Sequence, residues 1–142
     1  MVLNRIASNT ILLVLLLFSN LADGQPVFAD TSLLDVKLEF GIQQVFADIG
    51  EAPSYHKGYL SYENENGATI SIPVEIRTRG IFRRKASNCS QPPLLIKFKP
   101  KETSNTIFEG IEKLKLVVPC QKSSKYEDLV LKEYLVYKLY QI

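Results

Sequence analysis

Residues 77–85, RTRGIFRRK, place five cationic side chains in nine positions and no acid: Arg77, Arg79, Arg83, Arg84 and Lys85. A guanidinium presents a planar fork of donors that meets phosphate or carboxylate with two parallel hydrogen bonds, so the run reads as a handle for anions. The bias continues downstream. From Arg77 to Lys101, a stretch that includes Lys97, there are eight basic residues and no acidic one. This segment is either a binding surface for a phosphate, an anionic glycan, a lipid headgroup or an acidic protein, or a set of solvated strand faces whose neighbours supply the acids. Nucleic acid is disfavoured, since surface aromatics are not interleaved with these cations.

Other residues with chemical potential are weaker candidates. Ser54-Tyr55-His56-Lys57 fits S-x-x-K without the partner motifs that give that string meaning. His56 reads as a packed or surface side chain. Glu63 and Glu65 sit at a turn and read as solvated. Asn88-Cys89-Ser90 fits the glycosylation triplet, which matters only on a eukaryotic secretory path. No glycine-rich phosphate loop occurs, no catalytic set is assigned, and one histidine with no CxxC spacing gives no metal site.

The N-terminus says where the chain works. Arg5 precedes an apolar run from Ile11 to Phe18. That run is far short of the about 20 residues a bilayer span needs. Ala22 and Gly24 occupy the −3 and −1 positions of a cut before Gln25, so residues 1–24 are expected to be a secretory signal and 25–32 a flexible leader. No transmembrane span is expected after cleavage, and the mature protein is expected in the periplasm or outside the cell. In an oxidising compartment the only two cysteines, Cys89 and Cys120, read as a disulfide, although two buried thiols would satisfy the same count. The bond would close a loop worth on the order of 3–4 kcal/mol in the chain-entropy model.

The elements that position these residues follow from periodicity. In LLDVKLEF, Leu34, Val36, Leu38 and Phe40 alternate with polar residues, predicting a half-buried strand. GIQQVFADIG predicts a short helical turn before Gly50. The stretch 55–80 predicts a hairpin around Asn66-Gly67. A two-residue turn would put Tyr59 and Ser61 with Ile70 and Ile72. A three-residue loop, Glu65-Asn66-Gly67 with a left-handed glycine, opposes Tyr62 to Ile70 and Leu60 to Ile72, and is preferred because it buries more apolar surface. Pro73 lacks a backbone donor, so its strand is expected at an edge or at a bulge. Ile70, Ile72, Val74 and Ile76 share one face of that strand, and Glu75, Arg77 and Arg79 the other. Gly80 ends it. Phe82 is expected to pack inward, with Arg83, Arg84 and Lys85 in the following loop.

PPLLIKFK and KLKLVV predict two further strands. Paired antiparallel, they bring Cys89 and Cys120 to the same end, as a disulfide requires. Residues 124–142 predict a helix, with Ser124 and Glu127 spaced as a capping box and an apolar arc from Tyr126 to Tyr140 wider than a surface helix needs. The expected fold is α+β: an antiparallel sheet of about five strands with the C-terminal helix packed on it, forming one domain over 33–142. The unmet apolar arc implies that the helix leads into more protein, so the domain is expected to be the front part of a larger one or to meet an envelope partner.

The pattern Arg77-x-Arg79-Gly80, Phe82-Arg83-Arg84, Asn88-Cys89, Pro92-Pro93-Leu94, Phe98-Lys99, Phe108-Glu109-Gly110, Lys113-Leu114-Lys115-Leu116-Val117, Cys120, Tyr126-Glu127 and Glu133-Tyr134-Leu135-x-Tyr137 resembles a set of uncharacterised exported bacterial proteins. More distantly, the order of strand, RxRG, basic loop, strand, KLxL strand and tyrosine-rich helix is similar to the N-terminal part of the spore-coat protein H (CotH) family, which is kinase-like and binds ATP. The resemblance implies that Arg77, Arg79 and Lys97 face phosphate. It also implies that ATP and Mg²⁺ chemistry, a phosphotransferase activity, would need carboxylates from a C-terminal part beyond this chain. Two positions depart from the family: Gly80 is followed by Ile81 and Phe82 rather than Asn and a small hydroxyl residue, and Gln91-Pro92-Pro93 stands where a lysine pair is usual.

Overall fold

The computed structural model describes residues 33–140. The expected signal segment and leader lie outside them. The elements in chain order are β1 (Val36–Phe40), α1 (Ile42–Ala47), β2 (His56–Glu63), β3 (Thr69–Thr78), β4 (Leu94–Lys97), α2 (Pro100–Thr103), β5 (Lys113–Leu116) and α3 (Ser124–Leu139). The strands form one five-stranded antiparallel sheet in the order β1-β2-β3-β4-β5. Each strand pairs with its sequence neighbour, as short connections favour. The fold is α+β, as the periodicity predicts.

The hairpin takes the three-residue loop. Leu60 opposes Ile72 and Tyr62 opposes Ile70. The Asn64 amide donates to the Ala68 carbonyl at 2.9 Å, the Asn64 side chain accepts from the amides of Asn66 and Ala68, and Gly67 has φ of 75°. That left-handed conformation is why glycine stands there. With this register, alternate residues point into the core: Leu60 and Tyr62, then Ile72, Val74 and Ile76, then Leu94 and Ile96. Val45 of α1 and the segment around Phe98, Phe108 and Ile111 close the same side. Phe108 stacks on Phe98 at 5.3 Å between centroids and meets Tyr62 edge-on at 5.6 Å. Burying each of these side chains contributes about 1.5–3 kcal/mol, and that gain orients the whole sheet with one face inward.

Several local expectations need correcting. Only Leu38 and Phe40 of β1 pack against the core, while Leu34 and Val36 are exposed, because they lie at the start of an edge strand and border an open hollow with Tyr62 and Thr69. β3 is the central strand and runs without a bulge against β2; Pro73 is tolerated because the β4 ladder reaches only Glu75. Phe82 points outward and is 70% exposed. The helix of residues 124–139 forms but does not seat on the sheet: none of its residues is buried. Its apolar residues, including Leu129, Leu131, Tyr134, Leu135, Val136, Tyr137 and Leu139, surround the helix rather than forming one stripe. The core face that could receive a stripe is occupied by α1 and the 98–111 segment. Its N-cap is Ser123, one residue before the expected box, and no side-chain capping bond forms.

Candidate anion-binding face

The disulfide between Cys89 and Cys120 is present and joins the approach to β4 with the exit of β5, as antiparallel pairing of those strands requires. Around it, the arginine run does structural duty. Arg83 donates from Nη2 to the Val118 carbonyl at 2.8 Å, and its Nε lies 3.4 Å from Cys89 Sγ. Arg84 is 6% exposed and donates to the carbonyls of Gly50 and, at 3.3 Å, Glu51. These bonds pull the 82–88 loop inward by its polar groups, and Phe82 is turned out as a result. Phe82, Arg83, Val118, Tyr126, Leu129 and Glu133 border an open cavity of about 460 Å³ at the start of α3.

Arg77, Arg79 and Lys97 stand apart from Arg83 and Arg84. They follow the outward alternation of β3 and β4. The Arg77 guanidinium lies 4.8 Å from the centroid of the Tyr55 ring and donates to the Pro53 carbonyl at 3.5 Å. Lys97 Nζ lies 5.2 Å from the same ring and 3.1 Å from Glu75 Oε2. A tyrosine face attracts both cations through its quadrupole. The β3 backbone continues to Arg79, whose amide donates to the Pro93 carbonyl at 2.9 Å.

Register then assembles a larger face. Antiparallel partners share a side of the sheet. Lys57 opposes Glu75, Glu75 opposes Lys97, and Lys97 opposes Lys113, so four charged residues form a row across β2 to β5. In the next row Arg77 opposes the uncharged Leu95, which in turn opposes Lys115. Strands lie about 4.8 Å apart, so the cations are within one another's field at physiological salt. Lys57, Arg77, Lys97, Lys113 and Lys115 thus surround one acid, Glu75. Its carboxyl is held below the ordinary carboxylate range by the hydrogen bond from Lys97 and by the charges of Lys97, Lys99 and Lys57. Tyr59, paired with Pro73, stands beside Lys57 on this side.

Of these, Lys57, Lys113, Lys115, Tyr55 and Tyr59 are absent from the set that sequence reasoning selects. The alternation in KLKL and the preferred hairpin register were the signals for them. Elsewhere, Asp48 accepts from the Ser54 amide at 2.7 Å and lies 3.3 Å from His56 Nε2. The Ser54 amide first, then His56 and Arg84, hold its carboxyl below its ordinary value. Asp48 and His56 thereby fasten the α1–β2 loop. Among the described residues no three His, Cys, Asp or Glu side chains gather as a metal-holding group, and no helix is long and apolar enough to cross a membrane. Comparison with known proteins finds no matching family model, no similar curated protein and no similar solved structure.

Proposed function

We propose that this chain is an exported binding module that holds an anionic ligand on the outward face of its sheet. The observation that carries this reading is the Lys97–Lys113 pair, two like charges directly opposite each other in register, flanked by Arg77, Lys57 and Lys115. Like charges across a strand pair destabilise a sheet, and an anion removes that cost. The disulfide and the N-terminal sequence pattern support export. The test is polyanion binding across a salt series, comparing the parent with Lys97→Gln/Lys113→Gln/Lys115→Gln. The triple variant is expected to bind more weakly and with a shallower salt dependence, since fewer counterions are displaced. Equal affinity and slope would discard the reading.

The element order favours a second reading, the N-terminal part of a CotH-like phosphotransferase. β3 runs into Arg77-x-Arg79-Gly80, followed by the basic loop, β4, the KLKL strand and the helix. In that reading Arg77, Arg79 and Lys97 face the phosphates of ATP, and a C-terminal part supplies the carboxylates for Mg²⁺. Its test is nucleotide binding by the longest chain that carries these residues. Failure of Arg77→Ala/Arg79→Ala to change ATP affinity would set it aside.

A further inference from the structure

The outward face carries an uncharged ledge as well as cations, and from it we infer that the ligand is an acidic polysaccharide laid across the strands. This rests on the anion-binding reading above and names its ligand class. Lys57, Lys97 and Lys113 lie in one row spanning three strand-to-strand steps, about 14 Å, with Glu75, ion-paired to Lys97, between the first two. A compact anion reaches two neighbours in such a row, whereas a chain of regularly spaced anions reaches all of them. Beside the row stands Tyr59, 54% exposed, two residues from Lys57 on the same side of β2. Pro73 opposes it on β3 and Glu39 on β1. The phenol ring and the pyrrolidine make a flat apolar ledge bounded by a carboxylate, and Glu39 is paired with Lys37 at 2.8 Å.

That combination selects among polyanions. A polyphosphate chain has no apolar face to set on Tyr59 and no hydroxyl to donate to Glu39. A hydroxyl-rich sugar ring has a C–H face for the ledge, hydroxyl donors for Glu39, and an acidic group on its rim for the lysines. A single-stranded DNA could stack a base on Tyr59, but its sugar-phosphate backbone offers Glu39 no run of hydroxyl donors.

The experiment measures affinity for polygalacturonate, polyphosphate, an oligothymidylate and vesicles containing anionic lipid, at matched charge concentration and two salt concentrations. Parent, Tyr59→Ala and Tyr59→Phe are compared, with far-UV circular dichroism confirming that each is folded. Polygalacturonate is expected to bind tightest. Tyr59→Ala should weaken it by roughly five- to tenfold and change polyphosphate less than about twofold, while Tyr59→Phe keeps parental affinity. Tighter binding of any other probe overturns the inference, as does a Tyr59→Ala variant that leaves polygalacturonate unaffected or weakens both polymers equally. Absence of binding to all four probes overturns the anion-binding reading itself.

Discussion

Removing the disulfide as Cys89→Ala/Cys120→Ala should lower stability mainly through the unfolded chain. The two cysteines are 31 residues apart. In the chain-entropy model a loop of that length contributes about 3.7 kcal/mol at 25 °C. The native side loses less, because other contacts hold the same junction. The amides of Ser90 and Gln91 donate to the Cys120 carbonyl at 3.0 and 3.2 Å, Gln121 Nε2 donates to the Asn88 carbonyl, and Arg83 holds Val118. Unfolding entropy near 2.1 cal/mol/K per residue, over a body of roughly 110 residues, gives about 0.23 kcal/mol per degree. The melting temperature should therefore fall by about 15 °C. A domain of ordinary stability, about 5–15 kcal/mol, remains folded at 25 °C after that loss. Thermal and urea melts followed by circular dichroism measure it, and polyanion affinity serves as a control. A fall of less than about 4 °C would show that the hydrogen-bonded junction already restrains the unfolded chain, and would refute the entropic account.

Gly58→Ala should destabilise by about 2–3 kcal/mol, read from urea midpoints, because a Cβ there would stand 2.7 Å from both the Glu39 carbonyl oxygen and Ile76 Cδ1. Arg84→Met should cost about 2 kcal/mol and increase proteolysis in the α1–β2 loop, since it frees the carbonyls of Gly50 and Glu51. Asp48→Ala should be destabilising at neutral pH but match the parent in acid. The folded-state pKa of Asp48 is lowered, so its contribution is complete above the unfolded value near 3.9 and is lost as pH falls through the folded value. Urea midpoints from pH 7 to pH 2 test this, and a constant gap between the two proteins would contradict it.

The sheet was largely legible in the sequence because its signals are local. The match of Leu60 with Ile72 and of Tyr62 with Ile70 needs only alternation and the left-handed Gly67. The cysteine pairing needs only two neighbouring antiparallel strands. Arg84 was not legible, since its partners Gly50 and Glu51 lie more than 30 residues away and are backbone carbonyls with no sequence signature. The outward turn of Phe82 follows from those same bonds. The seat of α3 was misread because a broad apolar arc does not specify a partner surface. The cationic face became visible only with register, because Lys57, Lys97 and Lys113 belong to three separate strands.

A charge swap at Lys113 separates what folding requires from what binding requires. The arginines at 83 and 84 are accounted for by the carbonyls they hold, so their sequence is explained by the framework. Lys113 holds nothing comparable: it is exposed and opposes Lys97, which already has Glu75 on its other side. A glutamate at 113 would extend the Glu75–Lys97 pair into a three-residue network and replace a repulsive cross-strand pair with an attractive one. Lys113→Glu should therefore raise stability by about 0.2–1 kcal/mol while weakening polyanion binding, two effects of opposite sign from one substitution. Urea midpoints and polyanion affinities on the same samples decide the matter. A less stable variant would mean that Lys113 serves the sheet, and one that binds as the parent does would mean that Lys113 serves no anionic ligand.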